Sequence, residues 1–283
     1  MNPKILFSRA AKVVSGFILP RGQCQVCGKN DGNGPVPGIC FSCFKRRKRT
    51  GADSCRFCSD RLPFASGLDV CGRCANDQPS YQKHFNRYKY DGAIRDLVLL
   101  FKVEKRYPLA QLMGRSISRE VTKNGHGSDL DFVTFIPGSF SRKMSRRFCP
   151  AELIARVVSK ELRVPLSGFL RLVKNTRIQK GLSARERREN VKNAFECRTV
   201  FNNREKILIV DDVFTTGSTL EEASATLKKK GAIVYAATFA MVWSEERNRA
   251  IGNTEGAFVG SHAPGCNATN GCCNSRKGGN DGS

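Results

Sequence analysis

The 283-residue chain is short of acid, histidine and tryptophan. It carries 25 Asp and Glu against 48 Lys and Arg, with three His and one Trp. No apolar run reaches the ~18 residues that a membrane-spanning helix needs, which excludes a helical integral membrane protein. The first 20 residues have no continuous apolar core and no small-residue cleavage site, so a secretory leader is not expected. His84, His126 and His262 lie outside every motif, which leaves histidine-based nucleophilic catalysis without a basis. What is present is enough to fold. Hydrophobic residues make up 40%, too many for a largely disordered chain, and the length suits one or two domains.

The basic excess is uneven. Residues 1–74 carry a net charge of +9, residues 75–206 +15, and residues 207–283 −1. A cationic face of this kind suits polyanions: nucleic acid, nucleotide phosphates or an anionic membrane.

The texture divides the chain into three sections and a tail. Residues 1–20 read as a short amphipathic helix, with Leu6, Phe7, Ala10, Val13, Val14, Phe17 and Ile18 at helical spacing. Such a helix docks on the next domain, or meets a membrane surface peripherally through residues 4–19. Residues 21–80 are rich in Cys, Gly and Arg and poor in aliphatics. Residues 81–243 read as α/β. Helices are expected over 93–101, 108–121, 150–162, 183–191 and 218–230, and strands over 131–136, 207–210 and 233–239. Strand, helix, strand at the last spacing is a βαβ unit on a parallel sheet. Residues 244–283 turn Gly/Asn/Ser-rich and read as a disordered tail. The tail cysteines Cys266, Cys272 and Cys273 are not counted as ligands.

Eight of the 13 cysteines form four CxxC pairs: Cys24/Cys27, Cys40/Cys43, Cys55/Cys58 and Cys71/Cys74. The intervals between pairs are 12, 11 and 12 residues. A CxxC turn aims two thiolates at one point, and a second CxxC a dozen residues on completes a tetrahedron. Zinc suits four sulfur ligands, and in a segment with little core its binding supplies folding free energy. The simplest assignment is two structural zinc ribbons, Cys24–Cys27–Cys40–Cys43 and Cys55–Cys58–Cys71–Cys74. Spacing also permits interleaved ligation, first pair with third. Between the sets lie five consecutive cations, Lys45 to Arg49, a solvated run or a phosphate-backbone contact. Cys149 and Cys197 are the other cysteines of the body, and Cys149 reads as a small apolar filler.

The segment Ile207–Thr219 reads ILIVDDVFTTGST. An apolar strand ends in two carboxylates, Asp211 and Asp212, and a loop, Thr215-Thr216-Gly217-Ser218-Thr219, leads into a helix. Ligands bind at this end of strands in open α/β sheets. Backbone amides, hydroxyls and a helix N-terminus converge there on an anion the size of a phosphate monoester. The carboxylates suit ribose hydroxyls, or magnesium through water. The segment is neither GxxxxGK[ST] nor GxGxxG.

This hydrophobic run, acid pair and TTGST resemble the PRPP-binding motif of type I phosphoribosyltransferases. The chain to about residue 243 resembles the ComF family (competence protein F and GntX-like proteins), zinc ribbons followed by a phosphoribosyltransferase-like domain. Tyr90, Gly92, Ile94, Arg95 and Lys102 resemble the family's first block. Thr176, Gln179, Leu182, Ser183, Arg187, Asn190 and Phe195 resemble its TxxQ…LS…R…N…F stretch, the hood over bound substrate. Residues 137–155 resemble the pyrophosphate-side loop and helix, with a departure: where the family reads RGFNQ, this chain reads Arg146-Arg147-Phe148-Cys149-Pro150.

The resemblance implies that Asp211 and Asp212 hold the ribose diol and that Thr215, Thr216, Gly217, Ser218 and Thr219 hold the 5′-phosphate. It implies PRPP or a nucleotide as ligand, with magnesium as its ion, in a cytoplasmic protein. Lys102, Arg142 and Arg146 are the candidate clamps on pyrophosphate. Two readings remain open. One is a phosphoribosyltransferase. The other is a non-catalytic competence factor that binds single-stranded DNA, works with DNA-uptake or recombination proteins, and retains the phosphoribose pocket.

Overall fold

A computed structural model describes residues 23–24, 26–29, 39–45, 54–62, 67–138, 148–174 and 184–243. The N-terminal helix expected over 1–20, Arg46 to Arg49, Arg142, Arg146, the stretch 176–183 and the tail lie outside the described residues.

The centre is a parallel four-stranded sheet of β1 (His84–Lys89), β2 (Phe132–Phe135), β5 (Lys206–Phe214) and β6 (Ile233–Met241), in the order β1-β6-β5-β2. This is the expected parallel α/β architecture. Helix α3 (Gly92–Lys102) follows β1, α4 (Leu109–Lys123) follows α3, α5 (Pro150–Leu162) follows β2, and α7 (Ser218–Lys228) joins β5 to β6. Between α5 and β5 the chain makes an antiparallel arm, β3 (Leu170–Leu172) with β4 (Phe195–Cys197), and α6 (Ala184–Val191) lies in sequence between them. In the N-terminal segment two five-residue helices, α1 (Phe41–Lys45) and α2 (Gly72–Asn76), each carry one cysteine.

The strand period of two sorts β5 between two cores. Leu208 and Val210 join α3, α4 and α5 through Leu97, Met113, Ile117 and Ile154. Ile207 and Ile209 join α7 through Ala223 and Leu227. Helices α4 and α5 approach closely at Gly114, where an added Cβ would lie 2.5 Å from the Val157 Cβ.

Both sheet edges are covered, which removes templates for strand pairing. At β2, the Val133 amide donates to Pro165 O and its carbonyl accepts from Ser167, both at 2.9 Å. At β1, the cover is the Phe57–Ser59 segment of the cysteine-rich section: the His84 amide donates to Phe57 O at 2.7 Å, and the Ser59 hydroxyl donates to His84 O.

Two expectations change. The strand expected to end before the carboxylates runs on through them, paired with β6 as far as Phe214↔Met241. The ladder, not the apolar run, sets its length. The second change is β1, which sequence pattern does not reveal. It buries His84 and Asn86, whose polarity disguises a buried strand.

Candidate functional site

At the carboxyl ends of β2 and β5 lies a cleft of about 240 Å³. Its lining includes Lys102, Ile136 to Gly138, Phe148 to Ala151 and Asp211 to Thr215, with Gly217, Thr219 and the arm residues Leu172, Val191 and Phe195. The sequence-expected acids and loop are therefore brought together with Lys102. Successive strand residues face opposite sides, so Asp211 and Asp212 have different partners. Asp212 is buried, and its Oδ1 lies 2.7 Å from Lys102 Nζ at the end of α3. The Asp211 Oδ1 accepts the Asp212 amide at 2.8 Å. Cys149, at the N-cap of α5, directs its thiol to Ile136 O at 3.5 Å. Burial pushes this thiol above its ordinary value, and the Asp211 charge adds to the shift. It is a neutral filler, as expected.

The loop after β5 turns on Gly217, at φ +82°. That left-handed conformation favours glycine, and a Cβ there would lie 2.5 Å from the Phe214 ring. Gly217 is the N-cap of α7. The Thr216 and Ser218 hydroxyls lie 2.9 Å apart, and the Glu221 amide donates to Gly217 O at 2.8 Å.

The eight CxxC cysteines form two sets, Cys24, Cys27, Cys40 and Cys43, and Cys55, Cys58, Cys71 and Cys74. Within each set the sulfurs all lie within 4.8 Å of one another. The grouping is sequential, not interleaved. Cys27 and Cys40 sulfurs are 3.7 Å apart, and those of Cys58 and Cys71 3.6 Å. A tetrahedral ion with Zn–S bonds of ~2.3 Å has edges of about 3.8 Å. A disulfide needs ~2.05 Å. The donor set thus fits a tetrahedral metal ion. In the second set, hydrogen bonds from Cys58, Cys71 and Cys74 hold the Cys55 thiol well below the usual range, while hydrogen bonding with Cys55 pushes Cys58 and Cys74 up. Four crowded thiols cannot all ionise without a cation among them.

The second set reaches the phosphate-loop region by three routes. Arg73, between Cys71 and Cys74, donates from Nη1 to Thr216 O at 3.0 Å and stands over the Phe214 ring. The Ser80 amide and hydroxyl donate to the Glu221 carboxylate in the first turn of α7. His84, fully buried, places Nδ1 3.0 Å from Cys58 O and Nε2 2.8 Å from Thr238 Oγ1, and its ring stacks on Phe214 at 4.6 Å. A carbonyl opposite Nδ1 assigns a proton to that nitrogen.

Comparison with known proteins gives the family. The chain is 32% identical over 200 residues to Competence protein F of Haemophilus influenzae, covering 69% of this chain and 86% of that protein. The chain belongs to the competence protein F (ComF) family. DNA utilization protein YhgH of Escherichia coli K12 is 31% identical over 199 residues, with the same coverage of 69% and 86%. Competence protein ComFC of Bacillus subtilis is 24% identical over 217 residues, covering 74% of this chain and 86% of that one. No protein-family model matches the chain. A purine phosphoribosyltransferase from Pyrococcus horikoshii matches at 17% identity, covering 50% of this chain and 73% of that one, with a TM-score of 0.28. No described helix is long and apolar enough to cross a membrane.

Arg73 and His84 are what sequence reading of this ComF-family chain missed. Arg73 had one local signal, its place inside the fourth CxxC. Its partner Thr216 is 143 positions away. His84 had none beyond being a lone histidine in a polar stretch.

Proposed function

We propose that this ComF-family chain binds a 5′-phosphoribosyl ligand, PRPP with magnesium foremost, in the cleft at the end of β5, and that it serves DNA uptake or utilization in the cytoplasm. The observation that carries the reading is the loop: Gly217 at a left-handed φ, between hydroxyl residues and ahead of α7, in one cleft with Asp211, Asp212 and Lys102. The names of the relatives, competence protein and DNA utilization protein, support the cellular role.

Asp211 and Asp212 hold the ribose hydroxyls in this reading, and Thr215 to Thr219 the 5′-phosphate. Loss of pyrophosphate from ribose C1 leaves an oxocarbenium-like centre, as in glycoside cleavage. Magnesium, when bound, supplies neutralising charge to the leaving diphosphate. The chain's part is to orient the ribose against the apolar wall of Leu172, Val191 and Phe195 and to exclude water. The two four-cysteine sets would hold structural zinc, one ion each.

Calorimetry with magnesium-PRPP tests the ligand. Saturable binding, removed by Asp211→Asn with Asp212→Asn, is the expected result, and no heat with PRPP or nucleoside monophosphates overturns it. A second reading, a pocket that grips a nucleotide or strand end without transfer, is favoured by one observation. Lys102 is the one cation lining the cleft among the described residues, and it is already paired with Asp212. Pyrophosphate release from PRPP with a panel of amine and base acceptors separates the two readings.

A further inference from the structure

The phosphate loop is a wall between two hollows. The cleft is lined by Thr215, Gly217 and Thr219. On the other side a hollow of about 300 Å³ is lined by Arg73, Thr216, Gly217, Ser218 and Glu221, with the second four-cysteine set at its edge through Cys74. Arg73 stands on that far side, and its guanidinium holds the Thr216 carbonyl at 3.0 Å.

Peptide geometry gives this hydrogen bond a consequence. In a planar trans peptide the carbonyl and the following N–H point in opposite directions. A Thr216 carbonyl drawn toward Arg73 therefore turns the Gly217 amide away from Arg73, toward the cleft side. Glycine freedom at residue 217 would otherwise let this peptide rotate and present the carbonyl, an acceptor, where an anion needs a donor. Arg73 has few ways to move. Cys71 is the N-cap of α2 and Cys74 lies within it, so both neighbouring thiols belong to one metal-competent set. Its guanidinium also stands 5.6 Å from the centroid of Phe214, the ring that packs under Gly217.

We propose that Arg73 is a positioning residue for the phosphate loop, and that metal occupancy of the second four-cysteine set and anion binding by the loop are thereby linked. The proposal rests on the phosphoribosyl reading of the cleft for its ligand, though not for its geometry. Linkage is reciprocal: what the metal does for the anion, the anion does for the metal.

The test uses the metal-loaded full chain, with Arg73→Met and Arg73→Lys. Ribose 5-phosphate is titrated by calorimetry, metal content is measured, and amide hydrogen exchange is followed over residues 215–219. Arg73→Met is expected to weaken ribose 5-phosphate about tenfold, the scale of one charge-assisted hydrogen bond. It should speed exchange in the loop and leave metal content unchanged. Arg73→Lys, which keeps the charge but not the planar fork, falls between. In the wild-type chain, saturating ribose 5-phosphate should slow alkylation of Cys55, Cys58, Cys71 and Cys74 under a chelator and leave Cys24, Cys27, Cys40 and Cys43 unaffected. Equal affinity and equal loop exchange in Arg73→Met overturn the proposal. If the wild-type chain binds no ribose 5-phosphate, the phosphoribosyl reading falls, and loop exchange in Arg73→Met decides the positioning role by itself.

Discussion

The two four-cysteine sets have the same composition and the same spacing, yet they hold different things. Cys24, Cys40 and Cys43 are buried with Ile39 in the core that contains α3 and α4, and Val26 packs against it. Cys55, Cys58 and Cys74 are buried in the opposite core, with β5, α7 and the inner face of β6. Apolar burial packs the first set into its core. The second is also tied by directed hydrogen bonds, from Arg73 to the loop, from Ser80 to α7 and from His84 in β1 to Cys58 O. Apolar contact tolerates small shifts of position, whereas a hydrogen bond fixes distance and direction. The difference teaches that a metal-binding staple can anchor a segment or set the geometry of a neighbouring site, and that spacing alone does not tell which.

The sharpest way to break the comparison is to remove one sulfur from each set. Cys74 is buried and Cys27 is exposed. Cys74→Ser should release one metal ion, lower the melting temperature by about 10 °C or more, and abolish ribose 5-phosphate binding, because structural metal binding is folding free energy. Cys27→Ser should cost less stability and leave ribose 5-phosphate affinity within about twofold. Melting curves and calorimetry on both variants decide it. Equal loss of ligand binding would show that the sets do the same job.

His84→Ala comes next. It empties a fully buried position, strands Cys58 O, takes one of its partners from Thr238 Oγ1, and removes the stack on Phe214. A loss of about 2–4 kcal/mol is expected in denaturant unfolding. Amide protection should fall at residues 57–59 and hold at residues 24–29. Uniform loss of protection would contradict a local role for His84 at the second set.

The parts of this molecule that could be read in advance are those whose signal is local. Four apolar residues before two acids marked β5, TTGST marked the turn into α7, and CxxC spacing marked both thiol sets. Helix α5 matches its expected span because Cys149-Pro150 and an acidic Glu152 open it. The length of β5 was hidden, since Asp211 and Asp212 are kept in the strand by β6 and not by their own propensity. β1 was hidden for a related reason. Its sequence HFNRYK places His84 and Asn86 inside, and they are acceptable there only because Thr238 and Tyr88 O satisfy them. Lys102 was read as a clamp for an anion, and its observed partner is Asp212, 110 positions along the chain. Such pairings are made by the fold, so they leave no pattern in a short window.

If the second set fixes the loop from outside, Gly217 sets it from inside. Gly217→Ala meets the Phe214 ring and forces a left-handed φ on an L-residue. It should cost about 1–3 kcal/mol of stability and weaken ribose 5-phosphate, with both four-cysteine sets still metal-loaded. Loss of metal from the second set in this variant would mean that coupling runs backwards through Phe214 as strongly as forwards.

The smallest effect belongs to Glu221→Gln. Its carboxylate accepts from the Ser80 amide at 3.0 and 3.1 Å and from the Ser80 hydroxyl at 2.6 Å, and it sits in the first turn of α7. Glutamine keeps one acceptor oxygen and the side-chain volume, but loses the charge that favours a helix N-terminus. A loss of about 0.5–1 kcal/mol is expected, screened in part by salt. The same loss of negative charge beside the phosphate loop should leave anion binding unchanged or slightly tighter, opposite in sign to Arg73→Met. A thermal melt paired with a ribose 5-phosphate titration therefore separates a tie that holds α7 to the second set from one that orients the loop. Weaker binding in Glu221→Gln would place Ser80 and Glu221 in the second class, and Arg73 would then share the loop with them.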